Sequence, residues 1–216
     1  MYWVPVIITL LMAMPAQAEG LVSAAGRVEK TTGEGSCSAI LVRPDLIATA
    51  AHCRSIRKKL FRPGDGLDGA TYEILDYTPH PLYDNSTSRI DWKMRFDIAV
   101  GRLATPVPAE RATPLPIGEE AQPGERLFIV SWRGNTDRPR QRACPVIRGV
   151  KGLVTLGCRV QGGESGAPVL RKTADGLELV AIISSSNQLL EQPVAQASDV
   201  RLRLPPLFDI IDENTP

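Results

Sequence analysis

The sequence predicts an all-β fold, either a sandwich or a barrel. Short apolar runs recur along the 216 residues, and turn signals such as PGDG at 63–66, TPVP at 105–108 and RGN at 133–135 separate them. Regular short strands with Gly and Pro between them are typical of all-β proteins. The expected strands are residues 39–42, 46–50, 98–103, 127–132, 153–156, 168–170 and 179–183.

The composition agrees with a globular protein and excludes several classes of function. The chain carries 25 basic and 24 acidic side chains, which gives a net charge of +1, and 43% of its residues are hydrophobic. Nucleic-acid-binding proteins usually carry a clustered basic surface, so no nucleic-acid partner is expected. The 18 Gly and 18 Pro residues are ordinary for a globular chain and do not indicate long disorder or a collagen-like structure.

Residues 1–18 are predicted to be a signal peptide. Their apolar stretch, from Trp3 to Met14, is shorter than the roughly 20 residues that a membrane-spanning helix needs. Ala16 and Ala18 then form the A-x-A pattern that signal peptidase accepts. We expect a secreted or periplasmic protein without membrane association after removal of the signal, because no later stretch approaches membrane length. A buried N-terminal strand or a retained anchor is the alternative.

The remaining chain is expected to form two domains and to end in a short helix. Prolines between residues 105 and 116 mark the best internal boundary, which separates an N-terminal domain at 19–104 from a C-terminal domain at 105–216. Pro205 and Pro206 are expected to open the helix, because proline is favoured in a first helical turn. The side chains expected to point inward from it are Leu207, Phe208 and Ile211.

The four cysteines predict two local disulfides. They are Cys37, Cys53, Cys144 and Cys158, and an exported protein folds where disulfides form. Three connectivities are possible. Sequential pairing closes two short loops, each of which would constrain the unfolded chain by roughly 3 kcal/mol. A four-cysteine zinc site would need close C-x-x-C pairs, which the sequence lacks, so neither a metal nor another cofactor is expected.

Three separated segments carry residues suited to nucleophilic catalysis. His52 follows one apolar strand, Asp97 opens another, and Ser165 lies in the glycine-rich segment GGESGAP at 162–168. A serine hydroxyl is a weak nucleophile at neutral pH and needs an adjacent base, which in turn needs a buried carboxylate to orient it. Glycines beside a serine let the backbone approach a substrate and direct N–H groups at a developing oxyanion.

The chain resembles the trypsin/chymotrypsin-like serine endopeptidases, in a compact form of the bacterial secreted kind. Three segments carry the resemblance in the family's order, namely TAAHC at 49–53, DIAVGRL at 97–103 and GESGAPV at 163–169. Weaker similarities are PHPLYD at 79–84 and VSWRGNT at 130–136, and together the matches extend from residue 35 to about residue 212. The resemblance implies two six-stranded antiparallel β-barrels with the active site in the cleft between them.

The resemblance assigns a role to each residue of the catalytic motifs. His52 matches the general base, Asp97 the carboxylate that orients it, and Ser165 the nucleophile. Gly163 and Ser165 match the two backbone N–H donors of the oxyanion hole. The implied reaction is hydrolysis of peptide bonds in protein or peptide substrates through an acyl-enzyme intermediate, by a protein that we expect to be a monomer.

The resemblance also implies a disulfide pairing and substrate-binding residues. The family bridges the cysteine after its histidine to an earlier one, which predicts Cys37–Cys53 and leaves Cys144–Cys158. Ser184 and Ser186 occupy the stretch that pairs with substrate backbone in the family. Arg159 occupies the position of the residue at the floor of the specificity pocket, which predicts a preference for Glu or Asp side chains.

The other candidate residues are weaker. His80 precedes Pro81 in an expected turn and is predicted to lie at the surface. Asp91 is a rival to Asp97, but no apolar strand follows it to bury the carboxylate. Residues 85–87, Asn-Ser-Thr, form a glycosylation sequon. A binding protein that has the fold without turnover is the alternative function, and a substituted triad, which would favour it, is not seen.

Two departures from the family concern activation. The family's Ile-Val start is missing, and Glu164 stands where the family carries an aspartate that receives the new N-terminal amine. A buried, unpaired carboxylate would cost several kcal/mol, so Glu164 is expected to have another partner, such as an arginine or solvent. We therefore predict no zymogen step beyond removal of residues 1–18.

Overall fold

The structure is a computed structural model. It consists mainly of two closed antiparallel β-barrels of six strands each. It describes residues 22–30, 37–55, 59–64, 69–84, 90–133, 136 and 138–214. The expected signal peptide at 1–18 and the sequon at 85–87 lie outside the described residues. The prediction of two six-stranded antiparallel barrels is confirmed. In the part of the chain that is described, no helix is long and apolar enough to cross a membrane.

The first barrel comprises strands β1 to β6 in the order β1-β2-β3-β6-β5-β4, closed by pairing of β1 with β4. The strands are β1 Ala25–Lys30, β2 Cys37–Arg43, β3 Leu46–Thr49, β4 Lys59–Pro63, β5 Tyr72–Pro79 and β6 Ala99–Leu103. A 3₁₀ helix at Ala51–Ser55 follows β3. Two short α-helices, α1 at Pro81–Asp84 and α2 at Ile90–Arg95, lie between β5 and β6.

The second barrel comprises strands β7 to β12 and repeats the strand order of the first. The strands are β7 Arg126–Ser131, β8 Arg140–Val150, β9 Leu153–Leu156, β10 Pro168–Thr173, β11 Gly176–Leu189 and β12 Gln192–Asp199. Pairing of β10 with β7 closes this barrel. The connection between the barrels runs from residue 104 to residue 125 and contains the prolines that suggested a boundary.

All of the strands expected from apolar runs are present. Five further strands, which the apolar runs did not predict, are β1, β4, β5, β8 and β12. In β8 the buried residues are Cys144 and Val146, two positions apart, and their neighbours are exposed or half-buried. A strand with one buried face alternates in this way and contains no continuous apolar run. Strand β12 is missed for another reason, because its six buried residues, from Val194 to Asp199, include Gln196, Ser198 and Asp199 and so form no apolar run. Apolar runs therefore miss both the strands with a solvent-facing side and the buried strands that contain polar residues.

The C-terminal helix, α3 at Val200–Glu213, begins earlier than the prolines predict. The carboxylate of Asp199 accepts a hydrogen bond from the N–H of Leu202 at 3.0 Å, so the helix is capped directly after β12. Pro205 and Pro206 therefore lie inside the helix. Its buried face is formed by Val200, Leu204, Leu207 and Ile211, and Phe208 is half-buried.

Helix α3 joins the two barrels. It follows the last strand of the second barrel, and its buried residues belong to an apolar core that contains side chains of both barrels. Its C-terminal end is also held by Arg43 of β2, which donates two hydrogen bonds to Asp212, at 2.6 and 3.1 Å. The helix thus fixes the orientation of one barrel on the other, on which any site between them depends.

The two disulfides have the predicted pairing. Cys37–Cys53 connects β2 to the 3₁₀ helix that carries His52. Cys144–Cys158 connects β8 to the segment that leads toward Ser165. Each disulfide therefore braces a segment that carries one of the candidate catalytic residues.

His80 is buried, so the expectation that it lies at the surface is wrong. Its ring packs against that of Phe96 with the centroids 4.8 Å apart, and its Nδ1 accepts a hydrogen bond from the N–H of Leu82 at 3.2 Å. Burial, together with the positive charge of Arg203, lowers the pKa of His80 to about 4. The turn forms where the sequence indicates, but α1 and Phe96 enclose the imidazole.

Acidification is expected to destabilise the protein through His80. Its pKa is about 4 in the folded protein and about 6.5 in the unfolded chain. Because the unfolded state binds more protons between these values, stability that is fully present above pH 6.5 is lost as the pH falls toward 4. From pH 7 to pH 5, His80 should lower the free energy of unfolding by about 2 kcal/mol. Urea unfolding at both pH values measures this, and an equal decrease in His80→Gln would contradict it.

Candidate active site

His52 and Asp97 are brought together by the pairing of β3 with β6. The 3₁₀ helix carrying His52 follows the end of β3, and Asp97 stands two residues before the start of β6. In the antiparallel pair, Thr49 lies opposite Ala99, so these two ends meet at the same edge of the barrel. The apolar strands place the two side chains side by side although 45 residues separate them.

The carboxylate of Asp97 is buried and accepts three hydrogen bonds. Oδ2 lies 2.8 Å from Nδ1 of His52 and accepts the hydroxyl of Ser184 at 2.6 Å, whereas Oδ1 accepts the backbone N–H of His52 at 3.0 Å. The Asp97 side chain is 7% exposed and that of His52 is 39% exposed. An Nδ1–H donated to the carboxylate leaves Nε2 as the unprotonated nitrogen, which can act as a base.

Ser165 lies in the loop before β10 and is held against the first barrel by Ser38 of β2. The Ser38 N–H donates to the Ser165 carbonyl at 2.7 Å, and the Ser38 hydroxyl donates to the Gly163 carbonyl at 3.0 Å. Gly166 has a φ of +79°, and a Cβ there would clash with the Ser38 carbonyl and the Thr49 hydroxyl. A glycine is therefore required immediately after Ser165 for the loop to approach the first barrel this closely.

The backbone around Ser165 leaves two N–H groups available. Gly163 has a φ of +93°, which favours glycine. Among the described residues, neither the N–H of Gly163 nor that of Ser165 donates to another protein oxygen. Two adjacent unpaired N–H groups beside a serine hydroxyl are the arrangement that an oxyanion needs.

Ser165 shares one cavity with His52 and Asp97. The cavity has a volume of about 440 Å³, and residues from both barrels line it, including Val160 to Gly162 and Ser184 to Ser186. Within the described residues, no hydrogen bond joins the Ser165 hydroxyl to the His52 ring. Hydrogen bonds between catalytic groups are often long without substrate and tighten when it binds.

Glu164, next to Ser165, is fully buried and satisfied within the second barrel. Its carboxylate accepts hydrogen bonds from Arg142 at 2.6 Å, the Ser131 hydroxyl at 2.6 Å and the N–H of Gln161 at 2.7 Å, and Arg133 lies 3.3 Å away. Burial alone would raise its pKa, but the hydrogen bonds from Arg142 and Ser131 outweigh burial and hold the pKa below its usual value. The partner expected for Glu164 is thus an arginine.

Two of the substrate-binding residues expected from the sequence line the cavity and one does not. Ser184 and Ser186 are part of the lining. The side chain of Arg159 is exposed and lies outside the lining, so it does not form the floor of this cavity. The Cys144–Cys158 bridge ends immediately before it. The rival carboxylate, Asp91, has a side chain outside the described part of the structure.

Several residues of the site carry no signal in the sequence. Ser38 lies 125 residues from the Gly163 carbonyl that it contacts, and Arg142 reaches Glu164 from β8. A serine or an arginine in a strand is common, and only the folded chain reveals its partner. The sequence predicted only substrate binding for Ser184. It did not predict the hydrogen bond that the Ser184 hydroxyl donates to Asp97.

The described residues bring together one set of potential metal ligands, namely Cys37, His52 and Cys53. Both sulfurs are joined in a disulfide and cannot bind a metal as thiolates. This set is therefore not a metal site.

Two closed six-stranded antiparallel barrels, with His52, Asp97 and Ser165 lining one cavity, define the class of protein with the chymotrypsin-like fold. The family model for trypsin matches residues 16–196, well over half of the chain. The chain therefore belongs to the trypsin family of serine proteases.

Proposed function

We propose that this protein is an exported serine endopeptidase that hydrolyses peptide bonds through a Ser165–His52–Asp97 triad. The observation that carries the proposal is the buried Asp97 carboxylate, 2.8 Å from Nδ1 of a His52 that shares its cavity with Ser165. Membership of the family supports protein or peptide substrates. The hydrogen bonds of Asp97 with His52 and Ser184 support the role proposed for this carboxylate.

In the first step, the hydroxyl of Ser165 attacks the carbonyl carbon of the scissile bond while Nε2 of His52 takes its proton. The carbonyl oxygen becomes an oxyanion and accepts hydrogen bonds from the N–H groups of Gly163 and Ser165. The carboxylate of Asp97 stabilises the imidazolium that forms. His52 then gives the proton to the leaving nitrogen and the C–N bond breaks. The peptide fragment with the new N-terminus departs, and the other fragment remains bound as an ester of Ser165.

In the second step, water hydrolyses the ester. His52 takes a proton from water as its oxygen attacks the ester carbonyl, and the same two N–H groups bind the second oxyanion. The proton returns to the Ser165 oxygen when the ester bond breaks, which releases the carboxylic acid product. The Ser184 hydroxyl, bonded to Asp97, keeps the carboxylate in place during both steps.

The substrate has an available strand edge beside the nucleophile. β10 pairs with β11 as far as Ile182, and from residue 184 onward β11 pairs only with β12 within the described residues. An extended peptide can add to a free strand edge through backbone hydrogen bonds. The segment Ser184 to Ser186, which lines the cavity, offers this edge next to Ser165.

Labelling with a fluorophosphonate tests the proposal, because this reagent forms a covalent bond with an activated serine. We expect mass spectrometry of the protein without residues 1–18 to find the adduct on Ser165, with no adduct in Ser165→Ala. Absence of both labelling and casein cleavage would contradict the proposal and support a binding protein that uses the fold without turnover.

The protein is expected to be active without the N-terminal amine that a further cleavage would create. Glu164 already has four partners in the second barrel, so the loop around Ser165 does not need an inserted amine to neutralise it. A chain of residues 19–216 with an additional N-terminal tag should therefore cleave casein without processing. Activity that appears only after a cut near Gly20 would show that the new amine is required.

A further inference from the structure

A second cavity adjoins the active-site cavity at His52. Its volume is about 560 Å³. His52, Tyr83 and Lys93 line both cavities, so the two are neighbouring compartments of one cleft. The remaining lining residues are Arg54, Ser55, Lys59, Tyr77 and Asp84.

The lining of this second cavity is positively charged. Its cations are Arg54, Lys59 and Lys93, and its carboxylate is Asp84. Asp84 accepts two hydrogen bonds from Arg54, at 2.8 and 2.6 Å, so these two charges neutralise each other. Among the described residues, no carboxylate forms a salt bridge with Lys59 or Lys93. Two ammonium charges therefore remain beside the catalytic histidine.

Both ammonium groups are positioned by aromatic rings rather than by acids. The Nζ of Lys59 lies 3.8 Å from the centroid of the Tyr77 ring and donates one hydrogen bond, at 2.5 Å, to the carbonyl of Arg54. The Nζ of Lys93 lies 5.1 Å from the centroid of the Tyr83 ring. An ammonium has three N–H donors, so each retains donors for an anion. Burial and the charge of Arg54 lower the pKa of Lys59 to about 8, which leaves most of it charged at neutral pH.

A substrate that pairs with the free edge of β11 is extended, and this determines which of its side chains can reach the cavity. Successive side chains of an extended chain point in opposite directions. When the side chain of the acylated residue enters the part of the cleft lined by Val160 to Gly162, the preceding side chain should point away from that part, and His52 and Lys93 belong to the rest of the lining. The basic cavity adjoins the active-site cavity at these two residues, so it is the compartment within reach of that preceding side chain.

We propose that the cavity lined by Lys59 and Lys93 binds the carboxylate of an Asp or Glu immediately before the acylated residue. This inference rests on the proposed peptidase function and names its substrate class. It differs from the preference expected from Arg159, which concerned the acylated residue itself and whose side chain is exposed. Lys59 and Lys93 are thus specificity-determining residues.

The experiment compares cleavage-site profiles in a peptide library derived from a whole proteome. The wild-type protein, Lys59→Gln/Lys93→Gln and the control Lys172→Gln digest the same library, and mass spectrometry identifies each cut. Lys172 is exposed on β10 and lies outside both cavities. A pair of peptides that contain a preferred site and differ only as Glu or Gln at the preceding position then provides kcat/KM values.

We expect Asp and Glu to be enriched at the preceding position, with kcat/KM for the Glu peptide about fivefold above that for Gln. This ratio should fall to about one in Lys59→Gln/Lys93→Gln, remain unchanged in Lys172→Gln, and decrease as salt increases. Lys59→Glu/Lys93→Glu should instead favour Lys and Arg at the same position.

The results distinguish failure of this inference from failure of the proposed peptidase function. Cleavage that depends on Ser165 but shows no acidic enrichment, or an enrichment that persists in Lys59→Gln/Lys93→Gln, overturns this inference and leaves the peptidase function standing. Absence of any cleavage that depends on Ser165 overturns both.

Discussion

Ser165→Ala is expected to lower kcat/KM for peptide hydrolysis by roughly 10⁴-fold or more, the order of loss typical of a triad serine. Without the hydroxyl no acyl-enzyme can form, and the base His52 has no proton to take. The N–H groups of Gly163 and residue 165 remain, so substrate binding and the fold should be nearly unchanged. Cleavage of a fluorogenic peptide selected from the library, measured under kcat/KM conditions, determines the loss.

The matched control is Ser23→Ala, which removes an exposed hydroxyl outside the cavity lining. It should retain full activity, and circular dichroism should show that both variants are folded. Wild-type cleavage by a folded Ser165→Ala protein would contradict the assignment of the nucleophile.

Arg142→Met is expected to be the most damaging change outside the triad. It removes the 2.6 Å hydrogen bond to a carboxylate that is 0% exposed, while Arg133, at 3.3 Å, remains as a weaker partner. Leaving a buried charge short of a partner typically costs several kcal/mol, so the free energy of unfolding should fall by about 3 kcal/mol. The N–H of Gly163 and that of Ser165 flank Glu164, so activity should fall as well.

Urea unfolding and the rate of fluorophosphonate labelling measure the two effects separately. Arg140→Met, an exposed residue of the same strand, is the control and should change neither. In the double variant Arg142→Met/Glu164→Gln, the buried charge is absent, so part of the stability should return. An Arg142→Met protein as stable and as reactive as the wild type would show that Glu164 does not depend on this arginine.

The proposed activation route follows from the same carboxylate. In the family, an amine released by cleavage neutralises the acidic residue before the nucleophile and orders the loop. Here the contacts to the carboxylate come from Ser131 of β7, Arg133 just after β7 and Arg142 of β8. The loop around Ser165 can therefore be ordered by folding of the second barrel alone.

His80 and Arg159 show what inference from sequence could not establish. The neighbours of His80 in the sequence indicate a turn, and they do not reveal that Phe96 would cover the ring. The position of Arg159 was counted back from Ser165, and a count cannot establish on which side of the chain a side chain points. Burial and direction both depend on segments that are distant in the sequence.

The sequence by itself determined the class of fold, the disulfide partners and the residues of the candidate triad. Apolar runs buried on both faces produce an unmistakable pattern, and the motifs around His52, Asp97 and Ser165 are local. Each motif is encoded within a few residues, and the three motifs in order supplied the resemblance that implied the two barrels and the disulfide pairing, so no knowledge of the packing is needed to find them.

Only the tertiary structure decided how these residues are supported and what surrounds them. The contacts of Ser38 with the Ser165 loop, the arginines on Glu164 and the basic cavity at Lys59 and Lys93 all join segments from different strands. Each depends on barrel closure and on the register between strands. The physical reason is that hydrogen bonds and ion pairs act over a few ångströms, and only folding brings such distant residues within that range.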